Sequence, residues 1–157
     1  MKQILLMIAV VALVGCGTTK IDPNAPANIA DPIVEKRIRT ELRKPTGELT
    51  EADLEKVTEL NLVGYQLTDV KGLEKLTKLK ELSLPFNQLT NVKGLEKLTQ
   101  LKELYLQANQ LTDVKGLEKL TNLEGLYLEG NPDLTKAQID ELKKALPKCE
   151  IYGTFKK

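Results

Sequence analysis

Histidine and tryptophan are absent from all 157 residues. Without histidine there is no imidazole to activate a nucleophile, to act as general base or to hold zinc. Only two cysteines occur, Cys16 and Cys149, too few for a thiolate metal cluster. Charge excess is missing as well: 23 Lys and Arg stand against 22 Asp and Glu. A near-neutral chain exerts no general pull on nucleic acid, and no basic block with interleaved aromatics appears. There is no phosphate-cradling glycine loop and no nucleophile elbow. The longest apolar run, residues 4–14, falls well short of the roughly 20 residues of a membrane-spanning helix. Close carboxylates such as Glu48, Glu51 and Asp53 arise by chance in a chain that is 29% charged. The reading is therefore of a protein that is no enzyme, with no cofactor, metal or small-molecule substrate and no nucleic-acid partner.

The first residues, MKQILLMIAVVALVGC, place one cation, Lys2, before that apolar run and end it in small residues. That order describes a secretory signal. The closing Leu13-Val14-Gly15-Cys16 resembles the lipobox of bacterial lipoproteins. The resemblance implies cleavage before Cys16, a diacylglycerol on its sulfur and an acyl group on the new amino terminus. Multiple acyl chains anchor stably, at roughly 0.8 kcal/mol per buried CH₂. An ordinary secretory signal with Cys16 as a bystander is the alternative. Acylation of Cys16 would leave Cys149 as the one free thiol. Gly17 stands where an Asp resembles an inner-membrane retention signal of enterobacterial lipoproteins, so the outer membrane is expected if the cell has one.

Residues 17–32, GTTKIDPNAPANIADP, carry three prolines and no apolar period, and read as a linker. Asp31 and Pro32 then begin a helix with Val34, Ile38 and Leu42 on one face. Thr50 and Asp53 form a capping-box sequence stapled by Leu49 and Leu54. Next come LTDVKGLEKLTKLKELSL (67–84), LTNVKGLEKLTQLKELYL (89–106) and LTDVKGLEKLTNLEGLYL (111–128), a period of 22 that signals stacked repeats. Thr135 and Gln138 open a closing helix with Ile139, Leu142 and Leu146 on one face, and Cys149 and Ile151 alternate in a short last strand.

The motif L-x-x-L-x-L-x-x-N-x-L is met by Leu79, Leu82, Leu84, Asn87 and Leu89, and again by Leu101, Leu104, Leu106, Asn109 and Leu111. These copies resemble leucine-rich repeats of the 22-residue, internalin-like kind. The resemblance implies an α/β leucine-rich repeat solenoid, a short curved parallel sheet of four to five coils with helical caps at both ends. The expected division is a signal peptide at 1–15, a lipidated terminus and flexible linker at 16–32, a helical cap at 33–56, repeats at 57–134 and a cap helix with a final strand at 135–157. A monomer is expected.

Side chains alternate faces along a strand, so Leu104 and Leu106 point inward while Glu103, Tyr105 and Gln107 point to the concave face. Asn87, Asn109 and Asn131 read as structural, satisfying backbone groups where strand becomes loop. Gly72, Gly94 and Gly116 read as turn residues. The outward rows are Glu59, Glu81, Glu103, Gly125; Asn61, Ser83, Tyr105, Tyr127; and Val63, Pro85, Gln107, Glu129. The glutamate row reads as a cation site or as a solvated row eased by Lys80 and Lys102. Tyr105 and Tyr127 are contact residues or merely stack on one another, and Phe86 is an anchor or tucks into its loop. Candidate partner-binding residues are thus Glu81, Ser83, Phe86, Glu103, Tyr105, Gln107, Tyr127 and Glu129. Cys149 reads as a small buried hydrophobe.

The family resemblance implies protein–protein interaction through the concave face, with an unidentified protein partner and the membrane held through the lipid. The near-identity of the copies leaves open a structural envelope lipoprotein without a specific ligand.

Overall fold

A computed structural model describes residues 22–156. The expected signal peptide and the lipidation site Cys16 lie outside the described residues.

Helix α1 (Pro32–Glu41) starts where the Asp31 carboxylate accepts from the amides of Ile33 at 2.8 Å and Val34 at 3.0 Å. It buries Val34 and Ile38 against the first coil. The short helix α2 (Glu51–Leu54) carries the reciprocal Thr50–Asp53 capping box. Asp53 also takes Lys44 at 2.6 Å and Lys56 at 3.2 Å. These cations and the Thr50 amide stabilise its ionised form and hold its carboxyl far below the ordinary 3.8, Lys44 most of all.

Residues 25–31 correct the expectation of a flexible linker through residue 32. Pro26 bridges Thr50 antiparallel, and the Ala27 amide donates to the Leu49 carbonyl at 2.7 Å. Ala27 and Ile29 are buried while Asn28 and Ala30 face out. This is a period of two, compressed into so few residues that the flanking prolines obscure it. Pro26 fits because an edge position needs no amide donor. The amino-terminal cap is therefore three pieces: this extended segment, α1 and α2.

Five three-residue strands follow: β1 (Glu59–Asn61), β2 (Glu81–Ser83), β3 (Glu103–Tyr105), β4 (Gly125–Tyr127) and β5 (Glu150–Tyr152). They pair parallel, each with the next in sequence. Leu60, Leu82, Leu104, Leu126 and Ile151 share one inward register line. The return path of each repeat coil is a 3-10 turn, at Leu73–Lys75, Leu95–Lys97 and Leu117–Lys119. Each is entered through a glycine at positive φ, Gly94 at 110°. Nothing else takes that backbone as cheaply. After β4 the return path is helix α3 (Lys136–Ala145), capped by the Thr135–Gln138 box. The core is a column of aliphatic rungs, with Leu82, Leu84, Leu104 and Leu106 all fully buried. Leu134, one residue out of phase in the sequence, is fully buried too.

Three asparagines stitch the coils. Asn109 accepts from the Leu89 amide at 3.0 Å and donates to the carbonyls of Leu84 at 3.0 Å and Leu106 at 3.1 Å. Asn87 and Asn131 repeat the pattern one coil to either side. At the β1 edge of the sheet Arg37 Nε donates to the Asn61 carbonyl at 2.9 Å, and after β5 the tail returns to the preceding coil, where Lys156 bridges Thr135. No helix among the described residues is long and apolar enough to cross a membrane.

Candidate functional site

The outward side of the sheet is set by register. Glu59, Glu81, Glu103, Gly125 and Glu150 form one row, and Asn61, Ser83, Tyr105, Tyr127 and Tyr152 the next. Parallel strands lie about 4.8 Å apart, so flat rings on adjacent strands meet face to face. Tyr105 and Tyr127 stack with centroids 4.6 Å apart and planes 7° from parallel. Tyr152 extends the stack at 4.9 Å and 8°. Tyr152 is the residue that sequence reasoning missed. It stands 25 positions after Tyr127, not 22, because α3 lengthens the last crossover. The alternation with Ile151 was the one available sign.

None of the salt bridges among the described residues involves Glu59, Glu81, Glu103, Glu129 or Glu150. Lys102, expected to ease the row, reaches Glu124 instead, at 2.8 Å. Among the described residues no group of three or more acidic, cysteine or histidine side chains is placed to hold a metal ion. The Glu103 carboxylate lies over Gly125, where an added Cβ would stand 2.1 Å from its Oε2. That oxygen is shielded from solvent and has no hydrogen-bond partner among the described residues, and the same is true of Gln107 Oε1.

The rings report the field around them. Burial first, then the Glu103 and Glu81 carboxylates, raise the Tyr105 hydroxyl above its ordinary value. Burial and Glu103 do the same for Tyr127. The Tyr152 hydroxyl donates to Glu150, which with partial burial pushes it up to about 12. Cys149 is half-buried, and burial with the Glu103 and Glu150 charges pushes its thiol up to about 11. It stays protonated and unreactive at neutral pH.

At the amino-terminal end the face deepens into a hollow of about 270 Å³ lined by Glu41, Glu59, Asn61, Glu81, Ser83 and Tyr105. Glu129 is exposed at the opposite flank. Phe86 does not tuck into its loop: it is 67% exposed, with φ at +57°. The equivalent positions in the other coils are Gly64, Ala108 and Gly130, also at positive φ. Val63 and Tyr65 are exposed on the preceding coil. The structure thus gathers Glu81, Ser83, Glu103, Tyr105 and Tyr127 on one face, with Phe86, Gln107 and Glu129 just beyond the strand ends.

A family model, the leucine-rich repeat of leucine-rich repeat and WD repeat-containing protein 1, matches residues 42–153. No curated protein matches the chain. An internalin (inlF) from Listeria monocytogenes is 27% identical with a TM-score of 0.71, over 85% of this chain and 46% of that one. The functional domain of InlJ from the same organism is 26% identical with a TM-score of 0.70, over 86% of this chain and 29% of that one. A leucine-rich repeat protein of Leptospira interrogans is 36% identical with a TM-score of 0.59, over 64% of this chain and 26% of that one. The chain spans less than half the length of each of these three solved chains.

Proposed function

Since the chain belongs to the leucine-rich repeat family, a fold suited to holding protein partners, we propose that it is a lipid-anchored envelope protein whose concave face binds one. The observation that carries this reading is the stack of Tyr105, Tyr127 and Tyr152 on an open sheet. Neither backbone nor core requires rings there, and aromatics concentrate at the centres of interfaces.

The pattern of variation among the copies supports the same face. Between residues 67–88 and 89–110 the chain changes at five positions: Asp69/Asn91 and Lys78/Gln100 lie away from the strands, while Ser83/Tyr105, Pro85/Gln107 and Phe86/Ala108 are concave or at its rim. Three of the five changes thus fall on one face, and they include the gain of Tyr105, which favours a specific partner over a ligand-free structural role. Five strands at about 4.8 Å span only about 20–25 Å, so single-site binding is weak and gains from display of many copies on a membrane.

The anchor rests on the sequence: Lys2, the apolar run and LVGC. It puts the domain on the envelope, in the outer membrane where there are two. Mass spectrometry of the protein taken from membranes should find an acylated Cys16 as the first residue, and an unmodified terminus refutes the anchor. A photo-crosslinking residue at position 127 of the full chain in its host should yield a protein adduct, while one at Lys97 on the return path should not. Equal yields at both positions refute the concave site.

A further inference from the structure

Every charged residue in the outward rows of the sheet carries the same sign. Along the three rows the charged residues are Glu59, Glu81, Glu103, Glu129 and Glu150, with no lysine or arginine. The chain as a whole has 23 cations for 22 acids, so this face is a local imbalance in a balanced molecule. It is also an imbalance that folding does not use. Neighbouring carboxylates one strand apart repel by on the order of 1 kcal/mol even in water, and the row forms no ion pair among the described residues. Of the cations beside the row, Lys102 turns to Glu124, Arg37 donates its Nε to the Asn61 carbonyl at the strand edge, and Lys80 forms no ion pair among the described residues.

Donors are short on the same face. The two side-chain oxygens that are buried without a partner among the described residues, Glu103 Oε2 and Gln107 Oε1, both belong to β3 and the residues just after it. Burial first and the neighbouring carboxylates second raise the hydroxyls of Tyr105 and Tyr127, and the hydrogen bond to Glu150 raises that of Tyr152. Beside the carboxylates lie the tyrosine rings, whose faces attract cations.

Resting on the concave-face reading above, we infer that the partner presents an arginine- and lysine-rich segment, which crosses the sheet with its cations on the glutamate row and their stems against the tyrosine stack. Charge complementarity selects this occupant. Guanidinium groups bring several donors each to a face rich in unmet acceptors, and they stack on aromatic rings. The hollow of about 270 Å³ between Glu41, Glu59, Glu81 and Tyr105 takes the end of one such side chain. An acidic or neutral segment would leave the same carboxylates unpaired and newly desolvated.

Fluorescence anisotropy with the full chain in non-ionic detergent tests this. The probes are short labelled peptides of alternating arginine and serine, glutamine and serine, or glutamate and serine. The arginine peptide should bind, about tenfold or more tighter than the other two, and weaken with added salt. The double substitution Glu81→Gln, Glu103→Gln should weaken it about tenfold. Glu55→Gln, exposed and away from the sheet, should not. Thermal unfolding of each variant separates lost charge from lost fold. Equal binding of the three peptides, no binding of the arginine peptide, or full retention in the double variant overturns the inference. The crosslink at position 127 distinguishes the two claims: a concave adduct together with indifference to the glutamine substitutions leaves the concave site standing and removes the basic partner.

Discussion

Phe86 shows how a single residue can be placed against its own stability. A bulky side chain at φ +57° sits in the region that favours glycine, at a cost of about 1–3 kcal/mol. Being 67% exposed, it recovers little by burial. Phe86→Gly should therefore leave the protein as stable or raise stability by up to about 1 kcal/mol, measured by urea unfolding. A loss beyond about 1 kcal/mol would mean the ring packs after all. Leu104→Ala, at a fully buried rung of the same solenoid, should cost about 2–5 kcal/mol in the same assay. The contrast separates the residues that make the fold from those it merely carries. Leu104 was legible from the sequence because burial is periodic. Phe86 was not, because whether a loop ring points out or tucks in depends on a φ angle that neighbouring copies only suggest.

At the scale of the element, the asparagine ladder has an unequal load. The Leu84 carbonyl takes donors from Asn87 and Asn109, and the Leu106 carbonyl from Asn109 and Asn131. The Leu62 and Leu128 carbonyls each have a single asparagine donor. Asn109→Ala thus leaves one group, the Leu89 amide, without a partner, while Asn87→Ala orphans both the Leu67 amide and the Leu62 carbonyl. At about 1–3 kcal/mol per orphaned buried group, Asn87→Ala should cost roughly twice as much as Asn109→Ala in chemical unfolding. If the central asparagine proves the costlier, the sharing argument fails. The motif alone told which asparagines are structural. Only the stacking shows that the middle one is backed by its neighbours. The amino-terminal cap teaches the complement: residues 25–31 dock by a few backbone bonds to residues 49–52, contacts that a proline-rich composition conceals.

For the whole molecule, near-neutral net charge hides a polarised surface, and alkaline pH should expose it. The folded protein holds Tyr152 up to about 12, against an ordinary 10.0. A group raised on folding contributes stability that is complete below the unfolded value and is lost as pH climbs through the folded one. Stability should therefore fall between pH 10 and about 12. Tyr105 and Tyr127, also raised, act in the same direction, as do Lys71 and Lys102 beside Asp69 and Glu124. Glu150→Gln isolates the tyrosine: tyrosinate absorbance should appear at lower pH in that variant, and the alkaline loss of stability should shrink. An unchanged tyrosine titration would remove Glu150 from the account.

The sequence by itself determined the solenoid, its inward leucines, its turn glycines and asparagines, and the capping boxes at both ends. Each of these is written in local spacing, since burial, capping and left-handed turns act over a few residues and recur every 22. The tertiary structure alone decided that a third ring joins the stack across the 25-residue step from Tyr127 to Tyr152, that Lys102 turns to Glu124, and that the glutamate row forms no ion pair among the described residues. Those are relations between coils. Which side chains meet there depends on register and on competing partners in space, and a one-dimensional period does not carry that information.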